Sequence, residues 1–330
     1  MKAIVYRENG PPDVLRYEEL DKPSPADDEV LLKVHTASVN PLDWRMMRGI
    51  PGLLGLLLSF RRTRLSRPGV DVAGTVESIG RNITGFRPGD EIFGACRGAF
   101  AEYACAPART LAIKPAAITF EQAASLPVAA LTALQGLRDH GHIQAGHQVL
   151  INGAAGGVGT FAVQLARHFG AEVTGVCSGR NLDLVRSLGA AHVIDYTQQD
   201  FTRSSARYDI ILDNHGNHSL AACRHILTPR GRYLIIGGPR QVSRILSRAL
   251  RATVLSWFVS QKLGMFVAKM KKEDLALLAD LVASGKLVPV IDRRYPLSEV
   301  PAAIRYMEEE HARGKVIITV EAEASKAARS

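Results

Sequence analysis

The pattern of apolar and polar positions changes character once along this chain. Up to Thr119 it is a series of short β-branched and apolar runs broken by glycine and proline. Residues 2–6, 29–38, 70–79, 91–94 and 101–106 each read as a strand. Pro11-Pro12, Pro23-Ser24-Pro25 and Arg87-Pro88-Gly89-Asp90 supply turns between them. That spacing predicts an all-β, barrel-like domain. From Thr119 onward, a helix over 120–138 precedes strands at 148–152, 171–177, 191–195, 208–212 and 232–237, with helical segments between. This alternation predicts a parallel sheet covered by helices on both faces. A helix (273–284), a strand near 290–294, a helix (298–311) and a strand (315–320) complete the pattern. From Glu321 the chain is small and polar and reads as a frayed tail.

The turn after 148–152 carries the densest chemistry. Gly153-Ala154-Ala155-Gly156-Gly157-Val158-Gly159 joins the strand Gln148-Val149-Leu150-Ile151-Asn152 to an amphipathic helix running from Gly157 to about Phe169. Val158, Ala162, Leu165, Ala166 and Phe169 recur at helical spacing and are expected to face the sheet. A tight strand-to-helix turn needs residues without bulk. Backbone N–H groups at the helix start can then approach a pyrophosphate, whose charge the helix dipole favours. Glycines alone would also serve an ordinary turn. The next strand, 171–177, adds the β-α-β spacing of a dinucleotide fold and ends at Ser178-Gly179-Arg180. NAD-binding chains place a carboxylate there for the ribose hydroxyls. A hydroxyl and a guanidinium suit the extra phosphate of NADP, which a carboxylate would repel. The alternative is that Arg180 is a solvated surface residue.

Length and charge narrow the class. The 330 residues suffice for two domains. The longest apolar run, 53–58, contains one glycine and falls far short of the roughly 20 residues a bilayer helix needs. Because the chain reads as a strand from Lys2, a secretory signal is not indicated. Cys96, Cys105, Cys177 and Cys223 form no C-x-x-C pair, so a zinc ribbon or a disulfide framework is not indicated. A reducing, cytoplasmic setting is expected. The net charge is +9, and from Arg240 to Lys272 there are eight Lys or Arg residues and no Asp or Glu. Arg244, Arg248 and Arg251 share one helical face, with Ile245, Leu246, Ala249, Leu250, Val254 and Trp257 mostly on another. Such a helix either covers the globule with its charged face solvated, the simpler expectation, or lies on an anionic membrane surface. No aromatic interleaving or module suggests nucleic acid.

Several motifs combine into a resemblance. Gly146-His147, Leu150, Ala154-Ala155-Gly156-Gly157, Gly159, Gln164 and Arg167 form one connected signature. Ser38-Val39-Asn40-Pro41-Leu42-Asp43, Arg87-Pro88-Gly89-Asp90, Leu126-Pro127 with Leu131-Thr132-Ala133, Val193-Ile194-Asp195-Tyr196 and Gly314-Lys315-Val316-Ile317 add to it. In these residues, spread over nearly the whole length, the chain resembles the medium-chain dehydrogenase/reductase superfamily. It is most similar to the zinc-independent quinone oxidoreductase (zeta-crystallin-like) branch. The resemblance implies an α/β chain with two domains. One is a GroES-like β-barrel catalytic domain, 1–122 completed by 263–320. The other is a doubly wound, parallel-sheet Rossmann domain for NADP at 123–262, and 321–330 is a flexible tail. A homodimer is also implied. Zinc alcohol dehydrogenases use a cysteine in the first third, the histidine of a Gly-His-Glu run and a later cysteine. Here Ser38-Val39-Asn40 and Gly69-Val70-Asp71 stand in the corresponding stretches. Val70 has no lone pair, there is no four-cysteine lobe, and the ten histidines are scattered, so no metal is expected.

Losing zinc changes which chemistry is feasible. Hydride transfer to a simple ketone lacks its main electrophilic aid. In a quinone or an α,β-unsaturated carbonyl, hydride adds at carbon and the charge delocalises to oxygen, so a few hydrogen-bond donors suffice. The expectation is an NADPH-dependent reductase of quinones or enones whose protein part orients cofactor and acceptor. Two alternatives stay open. One is an NAD(P)-dependent alcohol dehydrogenase or carbonyl reductase with another proton donor. The other is a low-turnover, NADPH-binding, membrane-associated protein using the basic segment.

Particular residues then acquire roles. Asn40 is the first candidate to donate to an acceptor oxygen or hold the nicotinamide ribose, unless it is only a turn residue before Pro41. Asp43 either holds that loop or is an exposed carboxylate. His215, in Asp213-Asn214-His215-Gly216, stands at the sheet edge where ligands bind and could give a proton near neutral pH. Otherwise water supplies it. Gly156, Gly157, Val158, Ser178 and Arg180 are the cofactor residues read from the turn. The resemblance adds Thr132 near the nicotinamide and Tyr196 beside the adenosine phosphate. Gly237 ends a strand and either lets backbone approach the nicotinamide or serves a turn. The loop at 50–67 and the basic segment are expected to shape the substrate pocket.

Overall fold

The computed structural model of the protein describes residues 1–49, 65–238, 241–309 and 312–320. Most of the loop at 50–67, and the tail from 321, lie outside the described residues. The first stretch lays down β1 (Lys2–Val5), β2 (Arg16–Glu19), β3 (Glu29–Val39), α1 (Pro41–Arg48), β4 (Asp71–Ile79), β5 (Glu91–Ala95), β6 (Tyr103–Pro107) and β7 (Leu111–Ile113). Next come α2 (Phe120–Ser125) and α3 (Pro127–Gln135), which runs on through a π turn, Gly136–His140. The single helix expected over 120–138 is divided because Pro127 has no N–H with which to continue α2. An alternating stretch comes after it: β8 (Gln148–Asn152), α4 (Gly157–His168), β9 (Glu172–Cys177), α5 (Leu182–Ser187), β10 (His192–Asp195) and β11 (Tyr208–Asp213). It continues with α6 (Leu220–His225), β12 (Leu227–Ile235), α7 (Val242–Ser256) and β13 (Lys262–Met265). The last elements are α8 (Lys272–Ala283), β14 (Ile291–Pro296), α9 (Val300–Glu309) and β15 (Lys315–Thr319). Among the described residues no helix is long and apolar enough to cross a membrane.

The chain forms two compact units. One holds Met1–Val128, Met270–Gly285 and Ile291–Ser330; the other holds Ala129–Lys269 and Lys286–Val290. These joins fall somewhat later than the 122/123 and 262/263 boundaries read from the sequence. The cause is local: α2 packs on β3, β4 and β5 of the first unit, and β13 pairs with β12 in the second.

In the first unit the sheet runs β14-β15-β3-β4-β5-β7, with β6 also paired to β3. Its pairs are antiparallel apart from β14–β15. Ile4, Leu32, Met47, Phe100, Ile304 and Val316 belong to one buried core. The register sets Ser38 on β3 opposite Asp71 on β4 and Ile317 on β15, so three strands remote in sequence meet at one level.

In the second unit all neighbouring strands are parallel, in the order β10-β9-β8-β11-β12-β13. The winding direction reverses between β8 and β11, the switch point where open α/β sheets bind ligands. Val149, Leu150 and Ile151 on β8, and Ile210, Ile211 and Leu212 on β11, are wholly buried. Each contributes about 1.5–3 kcal/mol by burial. Gln148 and Asp209 at the amino ends are only half-buried, whereas Asn152 and Asp213 at the carboxyl ends are buried polar groups and mark the edge where chemistry is placed.

Candidate active site

The glycine-rich turn of the second unit opens α4 without a capping side chain. Gly156 is the N-cap, and the first helical bond runs from Thr160 N–H to the Gly156 carbonyl at 2.9 Å. The N–H groups of Gly157, Val158 and Gly159 therefore stand at the helix start without an intrahelical partner, the geometry that suits an anion. The glycines have different reasons. Gly153 has φ +85°, and a Cβ there would lie 2.7 Å from His215 Cδ2. A Cβ on Gly159 would lie 2.1 Å from the Gly153 carbonyl oxygen, so only glycine lets helix and turn close up. Gly156 is unlike both: its φ is −83°, and the nearest atom to a Cβ would be 3.5 Å away. Open space beside a bare backbone fits the close approach of a dinucleotide pyrophosphate.

Ser178 and Arg180 sit just past the carboxyl end of β9, half-buried and exposed respectively. Asn181 donates to the Ser178 hydroxyl at 3.2 Å. Sequence reasoning found no carboxylate at this turn and missed Asp195. Pairing of β10 with β9 sets Asp195 opposite Cys177, and a Cβ on Gly179 would lie 2.7 Å from Asp195 Oδ2. Thr197 donates to Asp195 Oδ1 from backbone and hydroxyl, at 2.9 and 2.8 Å, holding this carboxyl below its ordinary range. An ionised carboxylate thus flanks the turn, with its Oδ1 held by Thr197. Tyr196 ties its N–H to the Cys177 carbonyl at 3.1 Å and leaves its ring 47 % exposed at the same edge. Thr132 is half-buried on α3. A Cβ on Gly237 would meet the Asn214 carbonyl oxygen at 2.3 Å, so this glycine lets the ends of β11 and β12 close together.

A second feature missed by sequence reasoning is Asp213, buried at the end of β11. Asp213 Oδ1 accepts from Asn152 Nδ2 at 2.8 Å and from the N–H groups of His215 and Gly216 at 3.1 and 2.8 Å. Its Oδ2 accepts from the Tyr233 hydroxyl and, at 3.5 Å, from Arg248. Burial, reinforced by the Asp213 charge, pushes the Tyr233 phenol far above its ordinary range, so it remains a donor. Asp213 thereby folds the 213–216 loop, and that loop places the exposed His215 ring against Gly153.

The first unit supplies a separate, wholly buried polar cluster. Asp71 Oδ2 accepts from Ser38 Oγ and Asn40 Nδ2, both at 2.8 Å, and from Lys315 Nζ at 3.2 Å. Lys315 also donates to Asn40 Oδ1 at 2.6 Å, and Asp71 Oδ1 accepts the Val128 N–H at 3.0 Å. Strand register brings these remote residues together. The sequence reading gave the Asn40 NH₂ to an acceptor oxygen or a ribose. Here that NH₂ is spent on Asp71 and, at 3.5 Å, the Ser38 carbonyl, with Asn40 only 2 % exposed. Asp43, read either as holding that loop or as an exposed turn carboxylate, is buried at the start of α1 and takes the Asn40 N–H at 2.7 Å. Burial pushes its carboxyl up to about 7. The Asn40 N–H and the Lys315 charge pull it down, and Asp71 adds to the rise.

Zinc does not fit these residues. At the corresponding stretches the chain offers Ser38, Asn40, Val70 and an Asp71 already neutralised by Lys315. Among the described residues no three His, Cys, Asp or Glu side chains converge to hold a metal. The four cysteines are free thiols, and burial raises the pKa of each above its ordinary value.

A GroES-like unit carrying a buried polar cluster, with a Rossmann unit carrying an uncapped glycine turn, defines a dehydrogenase/reductase architecture. Residues 26–116 match the family described as alcohol dehydrogenase GroES-like domain, and 188–318 the family described as zinc-binding dehydrogenase. A chloroplastic quinone-oxidoreductase homolog of Spinacia oleracea is 33 % identical, over 96 % of this chain and 98 % of that protein. A chloroplastic NADPH-dependent alkenal/one oxidoreductase of Arabidopsis thaliana is 33 % identical, over 96 % of this chain and 79 % of that protein. The solved quinone oxidoreductase from Coxiella burnetii superimposes with a TM-score of 0.86 at 31 % identity, covering 97 % of this chain and 99 % of that one. The chain belongs to the medium-chain dehydrogenase/reductase superfamily, among its quinone oxidoreductases.

Proposed function

We propose that this protein is an NADPH-dependent oxidoreductase that reduces quinones or α,β-unsaturated carbonyls without zinc. The uncapped start of α4 beside an open Gly156 carries the reading. The names of the relatives support the substrate class. NADPH, when bound, supplies hydride. The N–H groups of Gly157, Val158 and Gly159 hold its pyrophosphate, and Ser178 with Arg180 takes the additional phosphate, while Thr132, Tyr196 and Gly237 are its further neighbours. Asn40 and Asp43 are positioning residues: their mutual bond sets the start of α1, and Lys315 and Asp71 lock the Asn40 amide in one orientation. His215 is exposed beside the turn, so solvent is the simplest proton source. A conjugated acceptor tolerates this because its charge delocalises before any proton arrives. A reducing cytoplasmic setting and a homodimer complete the proposal. The test is steady-state NADPH oxidation with 9,10-phenanthrenequinone, an enone and a simple ketone in chelator-treated protein. The quinone or enone should show the highest kcat/KM. Preference for the ketone, or activity that requires added zinc, would overturn the reading.

A further inference from the structure

The end of β10 brings a carboxylate to a turn whose own residues include none. β10 and β9 are parallel neighbours, so their carboxyl ends open on the same edge of the sheet. Asp195 stands opposite Cys177, the residue before the 178–180 turn. Its backbone is fixed on both sides. The Tyr196 N–H donates to the Cys177 carbonyl at 3.1 Å, and the N–H groups of Gln198 and Gln199 donate to the Asp195 carbonyl at 3.0 and 2.9 Å. Its side chain is fixed as well: Thr197 holds Oδ1 from backbone and hydroxyl, and Oδ2 lies against Gly179. The φ of Gly179 is not positive, so backbone conformation does not call for glycine there. The close approach of Oδ2 does, because it lies 2.7 Å from where a Cβ would stand. Among the described residues no Lys, Arg or His pairs with this half-buried carboxylate, which Thr197 keeps ionised.

We propose that Asp195 sets the choice between the two pyridine nucleotides and keeps it shallow, so that this chain takes NADH as well as NADPH. This rests on the cofactor reading above and adds a residue which that reading does not use. In a dinucleotide fold, the carboxylate that accepts the adenosine ribose hydroxyls stands at the end of the second strand. At that place this chain has Ser178 and Arg180, which suit a phosphate. The next strand, β10, supplies a carboxylate from the side. Two opposed preferences therefore share one turn. Arg180 attracts the extra phosphate of NADPH, and the charge of Asp195 opposes it. In NADH the same ribose position carries a hydroxyl, a donor for which an ionised acceptor is the stronger partner. Ser178 serves both nucleotides. Asn181 donates to its hydroxyl oxygen at 3.2 Å, so the hydroxyl proton is left to give. Asp195 acts on nucleotide affinity and has no part in the hydride step.

The experiment is calorimetric titration of the full chain with NADPH and with NADH, in wild type, D195N and D195S. Asparagine keeps the shape and still accepts the Thr197 bonds, so D195N should keep the wild-type thermal midpoint. It should bind NADPH about fivefold more tightly, the order of the water-screened repulsion between a carboxylate and a doubly charged phosphate. It should bind NADH about fivefold more weakly, because a charge-assisted hydrogen bond becomes a neutral one. The affinity ratio then moves toward NADPH by about 25-fold, opposite in sign to the loss of Arg180. The gain with NADPH should shrink as salt shortens the Debye length, and the loss with NADH should persist. D195S also lacks the charge and should move the ratio the same way, whatever its thermal midpoint. A ratio unmoved in both variants, or moved toward NADH, overturns the proposal while the cofactor reading stands. So does wild type that binds NADPH and not NADH. Wild type that binds neither nucleotide overturns the cofactor reading and the proposal together.

Discussion

Gly156 and Gly159 lie three residues apart and should fail differently when replaced by alanine. A Cβ on Gly159 would stand 2.1 Å from a backbone oxygen and 2.8 Å from Ala154, neither a flexible side-chain end. Gly159→Ala therefore forces helix and turn apart and should cost about 3 kcal/mol, the upper range for overpacking. Gly156→Ala meets nothing closer than 3.5 Å, at a φ of −83° that alanine adopts freely. Its stability should fall by no more than about 1 kcal/mol, the cost of alanine in place of glycine at an N-cap. The new methyl would instead occupy the open space beside the N–H groups of α4. Losing one charge-assisted hydrogen bond to a phosphate costs about 1.5–3 kcal/mol, or roughly 10- to 100-fold in affinity. Calorimetric titration with NADPH and thermal unfolding without ligand read the two effects separately. Gly156→Ala protein that unfolds like wild type and binds NADPH equally well would refute the reasoning, because no phosphate could then lie against that backbone.

Three further outcomes rest on named contacts. Arg180→Ala should weaken NADPH much more than NADH; equal losses for the two would remove Arg180 from the phosphate site. Asp43 keeps its proton up to about pH 7 when folded and releases it near 3.8 when unfolded, so its contribution is complete below about 4 and is lost as pH rises to about 7. The loss amounts to about 4 kcal/mol; Asp43→Asn should flatten that part of the stability–pH curve in chemical denaturation, and an unchanged slope would contradict the assignment. Lys315→Met strands the Asp71 carboxylate in the core and should cost about 3–5 kcal/mol, whereas adding Asp71→Asn should recover much of it. Simple additivity in that double-mutant cycle would mean the buried pair is not coupled.

Much of this molecule is legible in its residue order. The central strands announce themselves through apolar runs, as at 149–151 and 210–212, because burial on both faces admits no polar side chain between the strand ends. The glycine turn is legible for a related reason: backbone that must approach a phosphate cannot carry a side chain. Short elements are legible only in part: β1 and β10, of four residues each, are read, and others are not. β2, β7 and β13 have three or four residues each, and α1, α5 and α6 only about two turns or fewer. Periodicity needs more positions than these offer.

What the residue order alone carries is the glycine-rich turn, the change from all-β to alternating architecture, and Ser38, Asn40 and Val70 at the stretches where zinc alcohol dehydrogenases place ligands. Each depends on near neighbours in sequence or on side-chain chemistry that no fold can alter. Tertiary structure decided the rest. It locked Asn40 between Asp71 and Lys315, set Asp195 beside the Ser178 turn, anchored the His215 loop on Asp213, and turned Arg248 inward while leaving Trp257 and Phe258 bare. Those outcomes come from strand register and helix rotation, which are settled by burial summed over a whole unit, so no local stretch of sequence encodes them.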